Sequence, residues 1–386
     1  MTLLQINTVA HGVTPVAGIM RAIHAASLAA GIDAHMVAGY GDGEGCDLVM
    51  ESRTGLCLNA LSARLRGDDG FAARMSTRLL LRHIEHLRPD IVHLHNAHGY
   101  YLNLPMLQEA LRAADIPLVV TLHDHWWLTG RCATPQANDC SRYLTRDCAR
   151  CPYPDVYPAA LRSTKPHYKD TDGITFVAPS RGLAAHFGAG VIPNGVEIPR
   201  PAARTGVRPF ALAVADRWTI GKDPLTLMEL APLFDMPLVI VGELPGSLLR
   251  RRRPPVIVLR EHENLPQVIN TLGPGNVVHI PGSLDKQALA QIYTDAAVLI
   301  STSRSEAFGM TVAEALLCGT PAMVRAGTAP AELLTDADGL ATPFTDLRES
   351  ADAIVRAAHT LHPTAALITT PSAMADAYMA LYRRLC

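Results

Sequence analysis

The sequence predicts an α/β chain of two domains, each built on a parallel sheet with helices on both faces. Three observations carry this. Short apolar runs alternate with helix-periodic stretches from one end to the other, the pattern of strands joined by crossover helices. The length, 386 residues, exceeds the ~100–200 residues of an ordinary domain. A Pro- and Arg-rich stretch without apolar periodicity, Ile198–Pro209 (IPRPAARTGVRP), interrupts the series midway and reads as a linker.

Taken in order, Leu3–Val9 reads as a buried strand, followed by a Gly-bearing turn and an apolar-periodic helix from Gly18 to Ala30. Strands follow at Met36–Ala38, Ile91–Leu94, Leu118–Leu122, Ile174–Pro179 and Val191–Ile192, with a helix at Ala72–His86. A second series begins near Phe210: Phe210–Ala215, Leu238–Val241, Val256–Leu259, Val277–Ile280, Val298–Ser301 and Pro321–Val324. Helices around Asp223–Leu233, Lys286–Thr294 and Thr311–Cys318 alternate with these strands. The last segment, Ser372–Cys386, is an amphipathic helix with Met374, Tyr378, Leu381 and Leu385 on one stripe. The expected division is residues 1–200, 205–370 and a terminal helix over 371–386. Two Rossmann-like domains would present the carboxyl ends of their sheets to a shared crevice, where open α/β sheets bind ligands.

Composition narrows the function. Hydrophobic residues are 48%, charged residues 18% and the formal charge is −2, which excludes intrinsic disorder and a dedicated nucleic-acid binder. No run approaches the ~18–20 apolar residues that span a bilayer. The start, MTLLQINTVAHGVTP, has no basic n-region or small-residue cleavage site, so a cytoplasmic chain is expected. In that reducing compartment eight cysteines read as thiols or metal ligands rather than disulfides.

Two segments carry chemistry. In Ser303–Gly319 (SRSEAFGMTVAEALLCG), Glu306 precedes Glu314 by eight positions, with Phe308, Gly309, Met310 and Thr311 between them where a helix starts. Unpaired amides at a helix start suit a diphosphate. Glu306 could accept hydrogen bonds from sugar hydroxyls and Glu314 from a ribose diol, although spacing alone favours two solvated glutamates on a surface helix. In Ala215–Asp223 (ADRWTIGKD), Arg217 and Lys222 follow a strand. They could neutralise a leaving diphosphate, Arg as a fork and Lys as a point charge, or be an ordinary exposed basic pair.

Together these segments resemble the family 4 retaining glycosyltransferases, which have the GT-B fold. The family's Arg/Lys pair falls on Arg217 and Lys222, and its Glu-x7-Glu element on Glu306 and Glu314. Its Cys-Gly-Thr-Pro turn falls on Cys318–Pro321, and its Pro-Asn-Gly element on Pro193–Gly195, after Ala178-Pro179-Ser180. The N-terminal segments LLQINTV, HLHNAHGYYLNL and TLHDHWWLTGRC look like the exopolysaccharide, colanic-acid-type branch. The resemblance implies a nucleoside diphosphate sugar as donor and a saccharide acceptor, lipid-linked at the inner face of a membrane. It implies a terminal helix that packs back on the N-terminal domain, and a same-face mechanism that needs no cofactor or catalytic metal. Arg217, Lys222, Glu306 and His123 would be catalytic, and Glu314, Phe308, Gly309, Met310, Thr311 and Gly18 would bind the donor. His98, Tyr100, Tyr101 and Asp124 would meet the acceptor. One departure is the turn Gly12–Gly18 (GVTPVAG), where relatives have Gly-Gly or Gly-Ser-Thr-Gly. Two other classes share the architecture: a nucleotide-sugar 2-epimerase and a non-catalytic nucleotide-sugar-binding subunit.

Three clusters have more than one reading. His93, His95, His98, His123 and His125 could line a polar cleft or bind metal, but no His-Glu-x-x-His accompanies them. Cys132, Cys140, Cys148 and Cys151 form C-x7-C-x7-C-x2-C in a loop near 130–155, read as structural zinc ligands or as four free thiols. Arg250–Arg253 is a solvated basic run or a contact for anionic lipid headgroups.

Overall fold

The computed structural model describes residues 1–12, 14–66, 70–129, 132–145, 147–148, 169–207, 209–250 and 254–386, with side chains at 64–66, 138 and 263 outside that description. Two compact units divide the chain. One comprises Met1–Pro135, Asp139–Gly195 and Thr369–Cys386; the other comprises Gln136–Asn138 and Val196–Ile368.

The first unit holds seven strands: β1 (Thr2–Asn7), β2 (Asp33–Ala38), β3 (Leu48–Val49), β4 (Ile91–Leu94), β5 (Leu118–Thr121), β6 (Ile174–Ala178) and β7 (Gly190–Val191). They pair in the order β3-β2-β1-β4-β5-β6-β7, every neighbour parallel. The central strands β4 and β5 are buried at every residue, as a sheet covered on both faces requires. Its two-residue edge strand β3 escapes sequence reading because two residues show no periodicity.

The terminal helix Pro371–Leu385 belongs to this unit. Thr370 caps it by accepting from the Ala373 N–H at 3.2 Å, and Pro371 at the first helical position needs no partner. Met374, Tyr378, Leu381 and Tyr382 pack in one core with Leu3, Ile19, Ile23, Ile91 and Val119, so the expected stripe covers the N-terminal sheet. Gly195 admits the helix start: a Cβ there would stand 2.4 Å from Pro371 Cα. A polar seam crosses the contact. Tyr382 Oη lies 2.7 Å from His93 Nδ1, and Thr121 Oγ1 lies 2.7 Å from both His93 Nε2 and Tyr378 Oη.

The second unit repeats the plan with β8 (Ala211–Arg217), β9 (Leu238–Glu243), β10 (Val256–Val258), β11 (Val277–Ile280), β12 (Val298–Ser301), β13 (Ala322–Arg325) and β14 (Gly339–Thr342). The order is β10-β11-β9-β8-β12-β13-β14, again all parallel. Its two faces carry separate cores, one around Leu227, Phe234 and Ile354, the other around Phe210, Leu265 and Val312. The change of unit falls at Gly195–Val196, ahead of the Pro- and Arg-rich linker. Ile198 and Val207 within that stretch pack against the second core, because single apolar residues in an extended segment anchor it without producing periodicity. Among the described residues no helix is long and apolar enough to cross a membrane.

Candidate active site

In the second unit β8 and β12 are neighbours, while the chain leaves β8 for β9 on the opposite side. The loops at the carboxyl ends of β8 and β12 therefore flank the topological switch point, where open α/β sheets bind ligands. Arg217 ends β8 and is exposed. Trp218 beside it is buried, with its backbone N–H donating to Glu243 O and Nε1–H to Val241 O, both at 2.9 Å. Among the described residues the Arg217 guanidinium has no ion-pair partner, which leaves it available to a ligand.

Lys222 closes a short 3₁₀ turn that ends at Asp223, whose φ of +50° reverses the chain. Its Nζ lies 2.5 Å from Glu306 Oε1 in the loop after β12. Beneath that pair Asp223 is buried, and its Oδ2 accepts from Arg304 Nε at 3.0 Å and from an Arg325 terminal nitrogen at 2.7 Å. The two loops are also joined through backbone. Arg304 N–H donates to Gly221 O at 2.8 Å, and Thr302 Oγ1 lies 3.0 and 2.9 Å from the carbonyls of Lys222 and Asp223. Sequence reading missed Asp223, Arg304 and Arg325. Asp223 had a local signal, an Asp before Pro224 at a helix start; Arg325 had none.

The helix Met310–Leu317 begins at Gly309, which has φ +108° and offers no side-chain cap, whereas Asp285 and Asp346 cap theirs. Glycine is required here twice over, since a Cβ would also meet Pro330 Cγ at 2.7 Å. The first intrahelical bonds run from Val312 and Ala313 to Gly309 O, so the amides of Met310 and Thr311 precede the ladder and suit an anion. The Phe308 ring is buried in the core and only its backbone can contribute. Glu314 accepts from Tyr293 Oη at 3.1 Å. Burial raises its carboxyl above the usual range against the opposing hydrogen bond from Tyr293.

In the first unit the switch point lies between β1 and β4. His95 and His98 follow β4, and His123 and Asp124 follow β5. His95 Nδ1 lies 3.2 Å from His123 Nε2, and His98 Nε2 lies 2.9 Å from Asp124 Oδ2. Burial opposes ionisation of Asp124, but His98 and the Trp126 N–H outweigh it and hold the carboxyl below its usual range. Tyr100 is half-buried at φ +67°.

Several expectations change. Tyr101 is not an acceptor contact: it is fully buried against Gly39, with its hydroxyl bonded to Asn96 O. Gly18 lies inside the helix Pro15–Ala29, and its N–H is used on Thr14 O at 3.2 Å, so it has no amide to offer a phosphate. Nothing stands within 4 Å of a Cβ there. Cys132, Cys140 and Cys148 form no disulfide, and Cys151, the fourth residue of the expected array, lies outside the described residues. Among the described residues no three His, Cys, Asp or Glu side chains are placed to hold a metal.

Burial lowers His93 to about 3 and His123 and His125 to about 4, and takes His95 well below its usual value. Their unfolded value is about 6.5. A base depressed by folding contributes stability that is complete above its unfolded pKa and lost as pH falls toward its folded one. The melting temperature should therefore fall between about pH 6.5 and 4, and fall less steeply in His125→Gln. Melts that superimpose from pH 7 to 4.5 would contradict this.

The family model described as Glycosyl transferase 4-like domain matches residues 16–195, and that described as Glycosyl transferases group 1 matches residues 213–361. WcaC of Escherichia coli (strain K12), named for glycosyl transfer in colanic acid biosynthesis, is 27% identical over 377 residues, covering 88% of this chain and 86% of its own. Sucrose-phosphate synthase from Thermosynechococcus elongatus superimposes with a TM-score of 0.63 at 18% identity, covering 100% of this chain and 98% of that one. HepE of Anabaena, solved in complex with UDP-glucose, gives 0.56 at 16% identity with the same coverage. The chain is a glycosyltransferase of GT-B fold, its first half matching the 4-like and its second half the group 1 glycosyltransferase domain.

Proposed function

We propose that the chain transfers a sugar, with retention, from a nucleoside diphosphate donor to a lipid-linked saccharide in surface or extracellular polysaccharide synthesis. The observation that carries this reading is the convergence of Arg217, Lys222 and the uncapped helix start at Gly309 on the β8–β12 switch point. Two cations and oriented amides there stabilise charge that develops on a departing diphosphate. Glu306 and His123 orient the donor sugar, Glu314 takes the ribose diol, and His98, Tyr100 and Asp124 face the acceptor. HepE, of the same fold, was solved with UDP-glucose, and the name of WcaC supplies the polysaccharide context. A lipid-linked acceptor calls for peripheral contact with an anionic membrane. Arg250 supplies one cation for it, and Arg251–Arg253 lie outside the described residues.

A thermal-shift screen against UDP-, GDP- and ADP-sugars should give stabilisation by one nucleotide class, followed by transfer only when acceptor is added. Incubation with donor alone should leave the sugar's configuration unchanged; epimerised donor would refute the reading. EDTA should leave initial rates unchanged, because Arg217 and Lys222 take the role of a divalent ion. A rate lost to EDTA and restored by Mg²⁺ or Mn²⁺ would refute that part.

A further inference from the structure

Arg325 is the last residue of β13, and its side chain is spent on the loops around it. Nε donates to Thr302 O in the loop after β12 at 2.9 Å, and Nη1 to Pro343 O after β14 at 2.9 Å. Nη2 donates to Asp223 Oδ2, beyond the end of β8, at 2.7 Å. The guanidinium carbon stands over the buried Phe344 ring, 5.3 Å from its centre. β8, β12, β13 and β14 are consecutive in the sheet, so one planar cation ties together the carboxyl ends of four neighbouring strands. A guanidinium can do this because its N–H groups fan out in a plane; an ammonium has the charge without the fork.

Asp223 carries the tie to the cation of the site. It follows Lys222 directly, and the same Oδ2 accepts from Arg304 Nε at 3.0 Å, two residues before Glu306. The Lys222–Glu306 pair, 2.5 Å across, is therefore flanked on both loops by groups bound to one carboxylate oxygen. Asp223 sits at φ +50°, where glycine would be easier. What the position holds is the carboxylate, which also accepts from the Thr226 N–H and Oγ1–H to cap the next helix.

We propose that Arg325, acting through Asp223, is a positioning residue for the transfer reaction: it fixes the Lys222 ammonium against the loop after β12. The inference rests on the proposed function, which makes the placement of Lys222 matter to turnover. A group that only holds geometry supports catalysis more than binding. A diphosphate can meet a displaced ammonium in the ground state, whereas charge developing on a leaving group needs that ammonium at one distance.

The test has two arms. Arg325→Lys keeps the charge and loses the fork, and should lower kcat about 10–100-fold with donor KM changed less than about threefold. Asp223→Asn should give the same pattern, since asparagine tolerates the positive φ and still caps the helix. In a Lys222→Ala background, Arg325→Lys should cost less than about twofold more, because a residue that acts through Lys222 has nothing left to place. The second arm needs no substrate. Hydrogen–deuterium exchange of the full chain should quicken at 219–224 and 301–306 in Arg325→Lys and stay unchanged in the first unit. Unchanged kcat in Arg325→Lys and Asp223→Asn would overturn the proposal. A full further loss in the Lys222→Ala background would also overturn it, by showing that Arg325 meets substrate directly. Unchanged exchange would show that Arg325 does not hold the loops. Near-native turnover in Lys222→Ala would overturn the proposed role of Lys222 and this inference with it, whereas quickened exchange beside an unchanged kcat would overturn the inference alone.

Discussion

Lys222→Ala should lower turnover by ~10²–10³, the loss expected from removing one preorganised stabiliser of developing charge, and Arg217→Ala should do the same. The fold should scarcely register either change. Lys222 is 34% exposed and its partner Glu306 18%, and a half-exposed pair contributes at most about 1 kcal/mol. The Lys222 loop has other anchors, since Asp223 holds Arg304 and Arg325 and Thr302 Oγ1 reaches the carbonyls of Lys222 and Asp223. The ground-state pairing sharpens the expectation. A diphosphate must compete with Glu306 for Lys222, so the cation acts fully only as leaving-group charge grows, and the loss should appear in kcat more than in KM. Steady-state kinetics with matched melts would check this. Near-native turnover in both variants would remove the two cations from the mechanism. A large fall in melting temperature would show instead that Lys222 serves the fold.

What could be read from sequence, and what could not, divides along physical lines. Val298–Ser301 and Ile91–Leu94 are central strands buried at nearly every residue, and a continuous apolar run between helical patterns announces them. Gly339–Thr342 is an edge strand with Leu340 exposed, so it carries no such run. Arg217, Lys222, Glu306 and Glu314 stood out because each pair is local in the chain. The structure puts Lys222 against Glu306 across 84 positions. The Asp223–Arg304–Arg325 cluster spans 102 positions with no spacing rule to reveal it. Tyr100 and Tyr101 read alike as adjacent loop aromatics, yet a positive φ at Tyr100 directs the chain so that Tyr101 enters the core. Gly18 looked like a phosphate turn because glycine permits close approach, but the helix starts at Pro15 and takes its amide.

Gly242→Ala should be the most damaging single-methyl change for stability, at about 3–4 kcal/mol once positive-φ strain and overpacking are added. Gly242 has φ +107°, and a Cβ on it would stand 1.6 Å from Ala215 O and 2.8 Å from Ala215 C. Both are backbone atoms, so no rotamer change relieves the contact. The cause lies in β8, whose pairing with β9 is irregular between Val214 and Arg217, bringing Ala215 over the glycine. The surroundings leave little room to shift. Gly242 O accepts from His279 Nε2 at 2.7 Å, and Trp218 bridges Val241 and Glu243 on either side. This irregularity is also what delivers Arg217 to the switch point, so a protein that relaxes by straightening β8 would move that cation. Stability and transfer should therefore fall together, unlike in Lys222→Ala. Gly18→Ala is the control: its Cβ meets nothing within 4 Å, and the gain in helix propensity should stabilise by up to ~1 kcal/mol. Denaturant melts separate these outcomes. A Gly242→Ala protein within about 1 kcal/mol of the parent would show that β8 yields easily, and that Arg217 is held by something other than the glycine beneath it.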